Sequence, residues 1–476
     1  MANLPAWGQD DLPEPLPYSW RNALRTVGPG AILLATSIGG GEWLVGPSIS
    51  VRYGVGVMWV ATLGIVLQVL FNLEAIRYTL YTGEPILSGI MRLKPGANFW
   101  GTAYVVMAIV QLGVPALGLA CAAVLLTALT GELPGPGDQA KLTWLTYLVL
   151  LATLAVLSLG GTVERTLERV SWAMIAYIMV FLTFVNVAFV PFAHSRETLG
   201  GFFQFGRLPS GMDWTWLAAL AATAGSGGIG NLTITNWVRD KGFGMGARVG
   251  AIPSAVGGRQ IELSHNGKVF PLTDANRARW KTWWRFIVLD QAWLWGAGCF
   301  VGMYLNVNLA TAITPAGTDL NGEAAGAFQA QYMAERMWRG LWYLGLLNGF
   351  WILFSTHLGN TDILVRTITD VTWVASARLR AAPKLGVGRV YFSVLLLCTA
   401  WNAVAVHLGS AMQLFKFLAS IAAIVMVPAS LQILRINTTL LPPELRPSWW
   451  RRAALVACAA FYATVSLFVV KKLLMA

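Results

Sequence analysis

Apolar runs of about 20 residues recur from one end of the chain to the other, separated by short polar stretches. A run of that length crosses the hydrocarbon core of a bilayer as a helix. The pattern predicts eleven membrane helices, at about 27–50, 55–80, 99–129, 142–161, 168–191, 214–240, 286–308, 337–359, 388–407, 410–434 and 450–472. Ahead of them, residues 1–26 are polar and proline-rich, without the apolar core of a signal peptide. The expected fold class is therefore an all-α polytopic membrane protein.

Two spans break the pattern. In the first, "ATSIGGGEWLVGP" from Ala35 sets Gly39, Gly40 and Gly41 side by side, with Glu42 directly after them. In the sixth, "AATAGSGGIGNLTITNW" holds Gly225, Gly227, Gly228 and Gly230 within six residues. Scattered glycines such as Gly113 and Gly118 suit close packing between membrane helices. Consecutive glycines occupy every face of a helix and read instead as unwound segments. The two breaks lie five spans apart, an odd number, so the halves that contain them have opposite orientations. Paired interrupted helices of this kind point to an inverted repeat with a substrate site at its centre. The reading is a ten-helix core over 27–434, with a first repeat at 27–191 and a second at 214–434, and an eleventh helix at 450–472 outside it. In the loop over 241–285, Asn266-Gly267 between short apolar alternations predicts a small β-hairpin.

Composition agrees with a membrane protein: 56% of residues are hydrophobic, 12% are charged, and the mean hydropathy is +0.59. The net charge of +12 would raise nucleic acid as a partner, but its distribution points elsewhere. With a cytoplasmic N-terminus, most Lys and Arg fall in cytoplasmic loops, from Arg21 and Arg25 through Arg239–Arg285 to Arg451 and Arg452. That is the bias that orients membrane proteins. The expected partners are the lipid bilayer and a small inorganic ion. No nucleic acid is expected. The expected location is a bacterial inner (plasma) membrane with the C-terminus outside. Cys121, Cys299, Cys398 and Cys458 all lie within spans, without CxxC spacing, and read as small buried apolar residues.

The motifs resemble those of the Nramp divalent-metal transporters. "GPGAILLATSIGGGEW" is similar to that family's first helix, which opens with Gly-Pro-Gly and carries Asp-Pro-Gly-Asn eight residues later; Gly28-Pro29-Gly30 and the spacing match. "LEAIRYTLYTG", Leu73 to Gly83, is similar to the end of the second helix. "GIGNL", Gly228 to Leu232, falls where the family has Met-Pro-His-Asn-Leu. The resemblance implies a LeuT-type fold, a 5+5 inverted repeat with helices 1 and 6 broken, and transport by alternating access. It also exposes departures. The family's metal-binding Asp falls on Gly39 and its Asn on Glu42, while its Met falls on Gly228 and its His on Gly230. Where the third helix of the family is acidic, this chain offers Gln111.

With the metal ligands gone, helix ends remain. A half-helix N-terminus presents backbone N–H groups and the positive end of the dipole, and glycine lets a ligand reach them. Such ends suit an anion. The leading substrate is a small anion such as bicarbonate, held by Thr36, Ser37, Gly39, Gly40, Gly41, Glu42, Gly225, Ser226, Gly227, Gly228, Gly230 and Asn231, with Thr233 as a further donor. Gln111 is an accessory polar group. Lys416, within the tenth span, is a cation for charge balance or a snorkelling side chain. Glu42 reads as a cap on the outer half-helix, or as a ligand for a cation. Ser355 and Thr356 in the eighth span are similar to the sodium site of LeuT-type symporters, which makes sodium the candidate coupling ion; their alternative is hydrogen bonding within their own helix. No metal site and no organic cofactor are expected. His357 and His407 have no sequence neighbours that would make them ligands. Two other substrates stay open: a divalent metal cation (Mg2+ or Mn2+), and a small organic solute. An enzyme is not expected, because the spans contain no paired nucleophile and base.

Overall fold

The structure is a computed structural model that describes residues 4–257, 262–318, 327–382 and 386–475. Among the described residues, eight helices are long and apolar enough to cross a membrane. The chain is an integral multi-pass membrane protein. The remaining three spans are the two broken ones and the eighth. The first comprises Pro29–Ser37, a π-helical turn over Gly40–Val45, and Gly46–Tyr53. Pro29 sits at the first helical position, where its missing N–H costs no hydrogen bond. The sixth comprises Trp214–Thr223 and Ile229–Lys241. Between its halves Gly227 and Gly228 have φ of +74° and +57°, left-handed values that a side chain strains to adopt.

The second span runs over Trp59–Thr82, the fourth over Gln139–Ser158, the fifth over Val163–Phe189, the ninth over Val387–Ala405, the tenth over Ala411–Thr439 and the eleventh over Trp449–Met475. The third, expected to be continuous, is two helices, Ala97–Leu112 and Ala116–Thr130, because Pro115 has no N–H to donate and pushes Val114 out of the helical region.

The eighth span, Leu341–Ala375, is 35 residues long and reaches well past its expected end at 359. Its added turns carry Asp362, Arg366 and Asp370, all buried. Arg366, expected in a cytoplasmic loop, is completely buried. It bonds Asp362 one turn away, at 2.9 Å, and Asp240 at the end of the sixth span. Tyr391 and Trp237 also donate to Asp362, at 2.5 and 2.8 Å. Arg239 bonds Asp370 at 3.0 Å. Hydropathy reads these charges as a helix end. In space they satisfy one another between the sixth, eighth and ninth helices.

The hairpin expected at Asn266-Gly267 is absent. Lys268–Val269 instead pairs, in parallel, with Gly8–Gln9 of the N-terminal segment. That segment is docked on the protein: Leu12 is fully buried, and Trp283 and Arg279 donate to the carbonyls of Pro13 and Leu12. Arg259, Gln260 and Ile261 of the same loop, and Lys384, lie outside the described residues.

Candidate functional site

The two breaks meet at the centre of the helices. A β-carbon on Gly41 would lie 1.8 Å from the carbonyl oxygen of Thr223, and one on Gly40 would lie 1.9 Å from the ring of Phe415. One on Gly39 would lie 1.7 Å from Thr356 Oγ1, and one on Gly230 would lie 2.0 Å from Ser226 Oγ. The first, sixth, eighth and tenth helices thus approach at backbone distance, which only glycine allows. Glycine here serves the break and the packing together.

Between these elements lies a cavity of about 20 Å³, room for about one water molecule. Of the residues singled out in the sequence, Thr36, Ser37, Gly40, Gly41, Gln111, Gly225, Ser226, Gly227, Gly230 and Thr356 line it. Leu112, Thr223, Asn360, Phe415 and Leu418 complete the wall. No lining residue is charged.

The remaining expected residues lie off the wall. Glu42 is fully buried. Its Oε2 accepts from the amide of Gly39 at 3.4 Å, the capping role, and its Oε1 has no hydrogen-bonding neighbour among the described residues. Asn231 donates to Asn72 Oδ1 at 2.9 Å. Asn72 in turn donates to Gln291, and Gln291 donates to Asp290. Asp290 accepts from the amides of Gly28 and Gly30 at 2.9 and 2.7 Å. The Gly-Pro-Gly start of the first helix is therefore a carboxylate-capped terminus, tied by side-chain amides to the sixth. Lys416 lies 4.0 Å from the ring centroid of Trp216, away from the breaks. Thr233 bonds the carbonyl of Ile229, inside its own helix.

Two glutamines hold the sixth-helix break. Gln68 Oε1 accepts from the amides of Ser226 and Gly227, each at 3.1 Å. Gln111 Oε1 accepts from Ile229 at 3.1 Å, and its Nε2 donates to Gly227 at 3.4 Å. The amides of Ser226 and Gly227, expected to face a ligand, and that of Ile229 are thus capped by side chains in this conformation. Gln68 also donates to the Tyr462 hydroxyl at 2.8 Å, which donates to the Ala221 carbonyl at 3.1 Å, so the eleventh helix braces the break. Sequence reasoning passed over Gln68. Its signal was present: Gln68 and Asn72 stand one turn apart on one face of the helix, ahead of its charged residues Glu74 and Arg77.

Ser355 and Thr356 bring oxygens from two helices together. Ser355 Oγ lies 2.8 Å from the Ala35 carbonyl and 2.9 Å from that of Ile352. Thr356 Oγ1 lies 3.5 Å from the Ile38 carbonyl and 3.1 Å from that of Ile352. Among the described residues, no group of three His, Cys, Asp or Glu side chains is placed to hold a metal ion.

Against known structures, this arrangement matches the manganese transporter of Eremococcus coleocola. In its complex with an aromatic bis-isothiourea compound, that protein superposes with a TM-score of 0.65 at 12% identity, covering 97% of this chain and 90% of that one. A variant of the same transporter gives 0.63 at 13%, covering 98% and 90%. The fold is that of the Nramp-type transporters. It is the LeuT-type arrangement, two inverted five-helix repeats with an additional eleventh helix here. In this Nramp-type fold the broken first and sixth helices occupy the centre, where the cavity lies. Among curated proteins, an uncharacterized protein of Pasteurella multocida (strain Pm70) is 27% identical over 187 residues. The match covers 38% of this chain and 39% of that protein, so it spans about two fifths of the relative's length. No protein-family model matches.

Proposed function

We propose that the chain is a secondary active transporter that carries a small anion, with bicarbonate as the leading substrate, through the cavity between the two breaks. The observation that carries this reading is the wall itself. Its polar groups are backbone, hydroxyls and amides, set among Leu112, Phe415 and Leu418, with no carboxylate or thioether. Divalent cations of the Mg2+ and Mn2+ type call for carboxylate ligands, and softer metals for sulfur. Here Gly39, Gly228 and Gly230 stand where the resemblance puts such side chains. A compact oxyanion needs donors, and Ser226 and Asn360 supply them beside two helix ends. The cavity holds about one water, so entry requires the half-helices to part, as alternating access demands.

Sodium fits the Ser355–Thr356 group. Two hydroxyls and the carbonyls of Ala35, Ile38 and Ile352 form an all-oxygen set, the chemistry of a hard monovalent cation. An ion there would tie the eighth helix to the first-helix break and favour one orientation of the site. A divalent cation is the second reading. It is favoured by the unsatisfied Glu42 Oε1 and by the manganese transport named for the structural neighbour.

The test is uptake into proteoliposomes of labelled bicarbonate, manganese and magnesium, with and without an inward sodium gradient. Sodium-stimulated bicarbonate uptake is expected. Saturable manganese uptake that is lost in Glu42→Gln would replace it with the cation reading.

A further inference from the structure

A second small cavity, about 10 Å³, adjoins the first and shares Leu112, Asn360 and Leu418 with its wall. His357, Thr361 and Asn402 line it as well. His357 and Asn402 are each 5% exposed. His357 Nε2 and Asn402 Oδ1 both lack a hydrogen-bonding neighbour among the described residues. A buried polar atom left unsatisfied is costly, and two of them on one cavity indicate that the cavity is built to hold something between them. Of all the residues lining the two cavities, His357 is the one whose side chain changes charge near neutral pH. An ionisable group inside a membrane protein is costly to keep and marks a pathway for ions or protons.

We propose that His357 and Asn402 form a proton-binding site beside the central cavity, and that the proton held there moves with the transport cycle. This rests on the transport reading above. Nε2 offers its lone pair to a proton from water in the cavity, giving an imidazolium. The new N–H requires an acceptor, and a water held between the two groups can take that bond and pass its own to the amide oxygen of Asn402, which has no other partner among the described residues. The proton returns to water when the cavity faces the other side, so nothing else is consumed. Asn360 and Leu418 belong to both walls, so a change in the substrate cavity reaches the imidazole directly.

Few charges face the ring. Its walls come from the third helix at Leu112, Val114, Leu117 and Gly118, the ninth at Asn402 and the tenth at Leu418, and none of these residues is charged. The third and ninth helices carry Tyr104, bonded to Gln432, Cys121, Cys398, Tyr391 and Arg389, and the tenth carries Lys416, set over Trp216, and Arg435. On the eighth helix itself, Asp362 is bonded to Arg366 and Tyr391, and Asp370 is bonded to Arg239.

The chain has four histidines, so magnetic resonance of the full-length protein with isotope-labelled histidine, with His357→Gln to assign the signal, reads the site directly. The His357 signal is expected to pass from neutral imidazole to imidazolium as the pH is lowered from 8 to about 4. In Asn402→Leu, which removes the acceptor, its midpoint should fall by about one pH unit or more. In proteoliposomes, uptake of labelled bicarbonate should change with pH along the wild-type midpoint, and His357→Gln should flatten that dependence. A His357 that stays neutral across the range, with or without Asn402, would overturn the proposal and leave a buried water in the cavity. A titrating His357 with pH-independent uptake would overturn its coupling to transport. If none of bicarbonate, manganese or magnesium is taken up, the transport reading fails, and the titration still decides the proton site.

Discussion

Gln111 shows how much one side chain does at the centre of this molecule. In the sequence it is the one strongly polar group of the third helix, which suggests a part in ion coupling. Its place is structural as well as local to the cavity, since it caps Ile229 and reaches Gly227 across the break. Replacing it with leucine of similar bulk leaves a buried donor and a buried acceptor unmatched. Gln111→Leu should cost about 1–3 kcal/mol, seen as a lower unfolding temperature in detergent, and should reduce uptake. Unchanged stability would mean that water or a backbone shift takes over the cap. The individual residues on the cavity wall are largely legible in the sequence, because consecutive glycines and nearby hydroxyls inside apolar runs are costly to a continuous helix and mark a break. Glu42 and Asn231 are expected on the wall and lie off it, because sequence gives proximity along a helix and not the direction of a side chain at a break. Gln68 escapes notice because an amide within a span, even with Asn72 one turn on, looks like ordinary helix packing until the atoms it caps, in residues 158 and 159 positions away, are known.

The helices and their breaks follow from periodicity, but their ends and their contacts do not. The eighth helix runs on through charges that a hydropathy reading assigns to solvent, because Asp240, brought in from the sixth helix, neutralises Arg366 there. Removing one member of a buried set is expensive, since it strands the others. Arg366→Met should destabilise the protein by about 3–5 kcal/mol, and a double variant that also carries Asp362→Leu should recover part of the loss. A loss of under 1 kcal/mol in the single variant would show that the pairs are open to water. The glycines can be tested in the same way, by sign. Gly200 lies in the short helix Phe192–Gly201 with nothing within 4 Å of a β-carbon, so Gly200→Ala should be neutral or stabilise by up to about 1 kcal/mol. Gly41→Ala drives a methyl group to 1.8 Å from the Thr223 carbonyl and should destabilise and abolish uptake. Equal stability for the two variants would place the break contacts outside the working conformation.

At the scale of the whole molecule, we propose from the charge distribution an orientation with both the N-terminal segment and the 241–285 loop inside. The pairing of Gly8–Gln9 with Lys268–Val269 puts those two segments on one face, which that orientation requires. A reactive tag fused after the last residue should then be labelled from outside sealed cells, and labelling only from the cytoplasmic side would refute the helix count or the orientation. The eleventh helix, outside the two repeats, is tied to the sixth-helix break through Tyr462 and Gln68, so it belongs to the working unit. The central claim is that the transported ion sits between the two breaks, against uncharged groups. Ser226 lines that cavity, and of the four native cysteines Cys398 alone is not buried, so Ser226→Cys in a Cys398→Ser background introduces a selective reporter. Its rate of modification by a small thiol reagent in proteoliposomes is the most direct measurement. Bicarbonate together with sodium should slow modification at least several-fold while manganese does not. Labelling that no ion slows, in a variant that still takes up bicarbonate, would contradict the account.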